Sequence, residues 1–276
     1  MKEEILPCVV GDSIGKAYFK ALELLMNKSN PYRHLTVNIS QPFCDGLIKE
    51  SPESLDINDW CNILNVGQPI YERFCQFKFP KKRKDWKVTG KDWINDRINA
   101  LLRPNGEYYG RLKEQIEFVE NRLKADLHGS CTNALVCQVF LPCDLEKACI
   151  PIRPNRGKLP CLTMLDFKPK IINKVKKLGV FAIYRSQFFD IKAYGNFISL
   201  AILLYRVCQK TKYEPDFIVS TANNAIFRYN GKEKKRLYDF LKTGKRIDSM
   251  SDSPTSSNSQ ISNLNSEKTS RKSVGC

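Results

Sequence analysis

The chain has 276 residues, of which 42% are hydrophobic, enough to bury a core as one large domain or two small ones. No run of about eighteen apolar residues occurs, which excludes an ordinary membrane-spanning helix. The formal net charge is +16, fitting either a widely solvated lysine surface or a face for nucleic acid or phosphorylated small molecules.

The first residues carry Lys2, Glu3 and Glu4 and lack the apolar stretch of a secretory signal, so a cytoplasmic location is expected. Residues 13 to 27 have the apolar spacing of an amphipathic helix, with Asp12 or Ser13 to cap it and Asn27 to Pro31 to end it. His34 to Ile39 alternates as a strand does, and Gln41 to Asp59 is turn-rich. Residues 78 to 92 are strongly basic and read as an exposed loop. Asn105-Gly106 marks a turn. Residues 107 to 126 read as a helix burying Leu112, Ile116, Phe118, Val119 and Leu123.

Ala134 to Phe140 reads as a strand that Pro142 ends, and 151 to 158 as a loop rich in Pro and cations. Cys161 to Phe167 and Val180 to Tyr184 read as strands. Ala193 to Cys208, apolar on almost every side, reads as a helix inside the core. Phe217 to Val219 reads as a short strand. Residues 1–245 are expected to form one domain. Residues 246–276, rich in Ser, Asn and basic groups, are expected to stay disordered, because they bury too little surface to offset ordering.

The chemistry open to this chain is narrow. Eleven cysteines make an odd count, a poor disulfide framework, and most read as buried free thiols. Cys131, Cys137, Cys143 and Cys149 are evenly spaced, unlike the paired ligands of a structural zinc site. Two histidines leave little room for histidine metal sites or a Ser-His-Asp hydrolase. No phosphate-binding or dinucleotide fingerprint appears.

Cys161 stands out, in Leu159-Pro160-Cys161-Leu162 just after the cationic loop, because nearby positive charge raises the thiolate fraction. A core cysteine at a strand edge is the plainer reading. Arg185-Ser186 follows at a strand end, where an arginine suits bidentate phosphate binding. Asn196 opens the core helix, where an amide can read a heterocycle edge. The plainer readings are an Arg185–Asp190 pair and a helix cap by Asn196.

Pro160-Cys161, Arg185-Ser186, Asn196 and Glu214-Pro215-Asp216-Phe217-Ile218 together resemble, in order, motifs of the thymidylate synthase family. The step from Arg185 to Asn196 matches the family without a gap. Lys91-Asp92-Trp93, Gly106-Glu107-Tyr108-Tyr109-Gly110 and residues 134–142 extend the likeness over roughly residues 91 to 229. The resemblance implies an α+β fold, a large twisted mixed sheet with helices on one face and a homodimer formed through the sheet. It also implies one-carbon transfer from 5,10-methylenetetrahydrofolate to C5 of a pyrimidine nucleotide, giving a methyl or hydroxymethyl product.

Carried onto this chain, the resemblance makes Cys161 the nucleophile, with Glu72 and Tyr109 as further catalytic candidates. Arg185, Ser186 and Asn196 would bind substrate, with Arg156 (or Arg153) standing in for the family's paired phosphate arginines, which fall at Asn133 and Ala134. Trp93 and Asp190 are the candidates for the folate side. The chain departs from the family at Leu162, Phe188, Ala225 and Phe227, where it places a histidine, an aspartate and the two groups that hold the sugar hydroxyl. A second reading is therefore a protein that kept the fold, lost the catalysis and binds nucleotide or nucleic acid.

Overall fold

The computed structural model describes residues 7–28, 31–44, 52–80, 89–125, 135–149, 159–229 and 231–245. Ser13 starts the first helix for a local reason. Its backbone is extended and its Oγ accepts from Lys16 N at 3.1 Å, satisfying a donor that the first turn leaves without a partner. The helix α1 (Ile14–Met26) matches the reading of 13–27 closely. It follows β1 (Cys8–Gly11) and precedes β2 (Tyr32–Ile39).

The short α2 (Ile57–Trp60) and α3 (Gln68–Gln76) come next. The basic run does not read as one exposed loop throughout. Residues 81–88 lie outside the described residues, but Phe79 is buried and α4 (Gly90–Leu102) has already begun by Asp92. Thr89 and Asp92 cap α4 reciprocally, each side chain serving the other's backbone N–H. Gly90 is required there, since a Cβ on it would lie 1.8 Å from Phe74 O.

In α5 (Tyr109–Lys124), Leu112, Val119 and Leu123 are buried, but Phe118 is 56% exposed. One residue from Val119 is about 100° around a helix, which turns Phe118 off the buried stripe. Strand β3 (Val136–Gln138) is shorter than expected. Pro142 begins α6 (Pro142–Cys149), a place where its missing N–H costs nothing.

The second half comprises β4 (Leu162–Ile172), β5 (Val175–Tyr184), β6 (Gln187–Phe188), α7 (Ala193–Thr211), β7 (Glu214–Ile226) and α8 (Lys232–Thr243). The seven strands form one mixed open sheet in the order β1-β2-β7-β5-β4-β3, with β6 added beside β7. β1 runs parallel to β2, and β7 runs parallel to β5 and β6. The β2–β7, β4–β5 and β3–β4 pairs are antiparallel. The architecture is thus α+β.

Alternate residues of the central strands, Leu35, Val37, Leu178, Val180, Ala182, Ile218 and Ala222, are buried on one face. Helix α7 packs on β5 and β7, and α1 on β1 and β2. Every residue of α7 from Ala193 to Tyr205 is buried. Tyr18 stacks on Tyr194 at 4.9 Å between ring centres, and Phe74 meets both edge-on at 5.7 and 5.1 Å. Burying each such ring contributes roughly 1.5–3 kcal/mol.

On the other face, Thr36, Thr221 and Ile183 form one row across β2, β7 and β5, and Asn38, Val219 and Phe181 the next. These side chains are half-buried.

The chain divides into two units, Met1–Arg246 and Ile247–Cys276, and all described residues belong to the first. The expected tail lies outside them. Cys137 and Cys208 are buried, whereas Cys44, Cys61, Cys75 and Cys161 are half-buried and Cys8 and Cys143 exposed. None of these is in a disulfide. The expectation of mostly buried thiols therefore fails among the described residues, because several sit on loops and edges rather than on core-facing positions. Among the described residues, no helix is long and apolar enough to cross a membrane.

Candidate functional site

The β4–β5 pairing sets Cys161 against Arg185. Leu162 is paired with Tyr184, so the next residues out meet, and Arg185 N donates to Cys161 O at 2.8 Å. The register then shifts between Leu162 and Met164. Thr163 O accepts from both Val139 N at 2.8 Å and Phe140 N at 3.1 Å. Such a bulge bends its strand and re-aims nearby side chains, and here it adjoins the half-buried thiol of Cys161.

Arg185 is exposed, with Nη2 3.5 Å from Leu159 O. Its guanidinium therefore reaches back along the segment that carries the thiol. Asn224 Nδ2 donates to the Arg185 carbonyl at 3.2 Å and holds the strand end. Ser186 follows, half-buried.

Asn196 lies in the first turn of α7 and is 7% exposed. Its N–H donates to Lys192 O at 2.9 Å, and Ser199 Oγ donates to its carbonyl at 2.9 Å. It is not the helix cap, because Lys192 holds that position without a side-chain bond. Among the described residues its side-chain amide makes no hydrogen bond. The plain Arg185–Asp190 pair does not form either. Asp190 Oδ2 instead accepts from Arg228 N at 2.7 Å and Tyr229 N at 2.8 Å.

Helix α4 supplies a charged wall. Arg97 is 7% exposed, with Nη2 2.5 Å from Asp96 Oδ2 and Nη1 4.0 Å from Glu107 Oε2. It packs under Gly195, where a Cβ would lie 3.0 Å from both Arg97 Cγ and Ile94 Cα. The small residue therefore lets α4 and α7 approach closely. Beside Arg97 and Glu107 opens a cleft of about 340 Å³, lined also by Asp96, Asn99, Arg103 and Asn105.

Tyr108 is 4% exposed, and the Leu162 main-chain N–H faces its hydroxyl. Burial pushes this phenol up to about 12, with Glu107 and Cys161 adding to the rise, so it keeps its proton near neutral pH. Lys192, half-buried at the start of α7, has its ammonium pulled below the usual lysine range. Burial is the main cause and Arg97 the next, while Cys161, Glu107 and Asp96 oppose them. Both groups thus feel the Cys161 sulfur.

The structure brings Cys161, Arg185 and Ser186 together and sets Asn196 one turn from Lys192. The phenol it places against the start of β4 is Tyr108, rather than the expected Tyr109, which is half-buried at the start of α5. Glu72 is on the exposed side of α3, where its carboxylate accepts from Gln68 Nε2 at 2.8 Å. The carboxylates that flank Arg97 are Asp96 and Glu107.

Asp190 is fully buried and its Oδ2 holds the end of β7 in place, so it offers no surface to a cofactor. Trp93 stands one turn before Arg97 on α4, half-buried, with its Nε1 buried and unpartnered among the described residues. Arg156, Arg153, Asn133 and Ala134 lie outside the described residues.

Sequence reasoning missed Arg97, Glu107, Tyr108 and Lys192. Tyr108 was visible as the neighbour of Tyr109, and Lys192 as a lone cation at the mouth of an apolar helix. Nothing in the sequence marked Arg97. Among the described residues, no group of three or more His, Cys, Asp or Glu side chains is arranged to hold a metal. No family model matches this chain, and no curated protein matches it significantly.

Proposed function

We propose that this protein is a thymidylate synthase-like one-carbon transferase acting at C5 of a pyrimidine nucleotide through Cys161. The main support is the meeting of Cys161 with Arg185 across the β4–β5 end, Arg185 N to Cys161 O at 2.8 Å. The resemblance had linked these two residues by order alone. The buried phenol of Tyr108, which the Leu162 main-chain N–H faces, supports it further.

In this reading the Cys161 thiolate adds to C6 of the pyrimidine, and the C5–C6 π pair moves onto C5. C5 forms its bond to the one-carbon unit and then loses its proton. Cleavage of the C6–S bond restores the ring and frees the thiolate. A covalent adduct divides one difficult substitution into easier steps. Methylenetetrahydrofolate, when bound, would supply the one-carbon unit and leave as tetrahydrofolate when its nitrogen–carbon bond breaks; hydride from that tetrahydrofolate, oxidised to dihydrofolate, would give a methyl product, and addition of water a hydroxymethyl one.

Arg185 takes the nucleotide phosphate, with Ser186 beside it. Asn196 reads the base edge. Tyr108 keeps its proton and donates to the ring oxygen that gains charge. For the folate, Trp93 fits, because its buried Nε1 is a donor without a partner among the described residues. Asp190 does not fit, because its carboxylate is spent inside the fold. The half-buried face of β2, β7 and β5 supports the homodimer that the resemblance implies.

The test is tritium release from C5-labelled dUMP, dCMP, UMP and CMP, with and without methylenetetrahydrofolate, for the wild type and Cys161→Ser. Release from one nucleotide that disappears in Cys161→Ser is the expected result and names the substrate. No release from a folded protein overturns the reading. The +16 charge then favours a non-catalytic binder, recognised by steeply salt-dependent RNA binding.

A further inference from the structure

The hairpin that joins β4 to β5 runs beyond the rest of the sheet. β3 pairs with β4 only as far as Asp166, and β7 pairs with β5 only from Lys177 inward. The outermost rungs, Ile171 with Lys176 and Ile172 with Val175, therefore have no strand beside them among the described residues. Ile171 is 71% exposed and Ile172 41%. Core packing does not account for them, since both stand past Phe167 and Leu178, the outermost buried residues of the two strands. Adjacent strand residues point to opposite faces, so the tip presents an isoleucine on each side.

The same tip is basic. Residues 167–179 contain five lysines and no acidic residue. Asp166 engages Lys168, Asp216 engages Lys170, and Glu214 shares a rung with Lys177. Three carboxylates against five lysines leave positive charge in excess. It lies outermost, at Lys174 and at Lys176, whose ammonium stands over the Tyr213 ring at 6.0 Å. Lys174 also occupies a strained position. It and Asn173 form the two-residue turn with φ of 68° and 50°, a conformation that glycine adopts without the cost a side chain brings.

We infer that this tip docks on an anionic membrane surface, Ile171 and Ile172 entering the boundary between headgroups and acyl chains while the lysines meet lipid phosphates. Aliphatic groups ringed by cations suit that boundary, where apolar burial and attraction to anionic lipid add. Single-stranded RNA suits the tip less well, because binding without sequence preference relies on aromatic stacking and the exposed apolar groups here are isoleucines. A second copy suits it less well too. Tip against tip sets lysines against lysines, and a dimer through the row of Thr36, Thr221 and Ile183 leaves Ile171 on the opposite face. Such docking is peripheral, needs no spanning helix and is independent of the one-carbon reading.

The experiment is co-sedimentation of the whole chain with vesicles of phosphatidylcholine alone and of phosphatidylcholine with about one-fifth phosphatidylserine, at about 0.1 M salt. The wild type is expected to sediment with the anionic vesicles and to stay in solution with the neutral ones. Ile171→Ser and Ile172→Ser made together should lower the partition coefficient at least about tenfold. Both side chains are exposed, so the fold does not depend on them. Lys174→Gly should lower it about fivefold, the effect of one cation near the surface, while its urea midpoint equals or exceeds that of the wild type because the turn is relieved of strain.

An unchanged partition in either variant overturns the inference, since charge elsewhere in the chain would then hold the protein to the vesicle. Absence of vesicle binding by the wild type overturns it as well. So does tighter binding to an RNA oligonucleotide than to anionic vesicles, undiminished by the two isoleucine changes.

Discussion

Replacing Asp190 by Asn tests the electrostatics of the fold directly. Asp190 is fully buried, and burial raises its carboxyl from the ordinary 3.8 to about 7, despite the N–H bonds from Tyr229 and Arg228. A carboxyl that holds its proton more tightly in the fold stabilises the fold in its neutral form. That contribution is full below about pH 4 and is lost as the pH rises through about 7. A shift of about three units corresponds to about 4 kcal/mol, at roughly 1.4 kcal/mol per unit.

Asn stays neutral at every pH and keeps an oxygen for the two N–H donors. Its Nδ2 falls where Oδ1 has no partner among the described residues, a buried donor costing about 1–3 kcal/mol. Asp190→Asn is therefore less stable than the wild type near pH 4.5 and more stable by about 1–3 kcal/mol near pH 8. Urea unfolding of both proteins from pH 4.5 to 8 measures the difference, and all other titrating groups cancel. A difference constant across that range to within about 0.5 kcal/mol would refute the argument.

Arg111 clamps Asp144 with two bonds, Nη1 to Oδ2 at 2.7 Å and Nη2 to Oδ1 at 2.8 Å, and also donates to Val139 O at 2.8 Å. Arg111→Leu leaves a carboxylate whose side chain is 4% exposed without its cation, so a loss of about 2–3 kcal/mol is expected by urea unfolding. A loss below about 1 kcal/mol would mean that Asp144 is satisfied without it. Gly90→Ala drives a Cβ into Phe74 O, and a loss of about 2–3 kcal/mol with a less cooperative transition is expected. Wild-type stability in that variant would show that α4 slides freely.

The amphipathic and fully apolar helices were legible because their signal is local. The period along 14–26 and the unbroken apolar run from Ala193 each declare a buried face whatever the rest of the chain does. Cys161 and Arg185 were singled out separately in the sequence, and the β4–β5 pairing sets them side by side. The cap at Thr89 and Asp92 was legible in principle, but the surrounding basic run hid it.

Strand β7 was legible only in part. Four of the five residues from Ser220 to Asn224 are small and polar, and only pairing with β2 and β5 makes the segment strand. The charged wall was not legible at all. Arg97 and Glu107 are apart in the chain from α7, and packing of α4 on α7 through Gly195 brings Arg97 against that helix with Glu107 4.0 Å from it. The sequence by itself thus determined which segments bury a face. The tertiary structure alone decided which groups surround Arg97, because electrostatic neighbours depend on distance in space, and no local pattern encodes it.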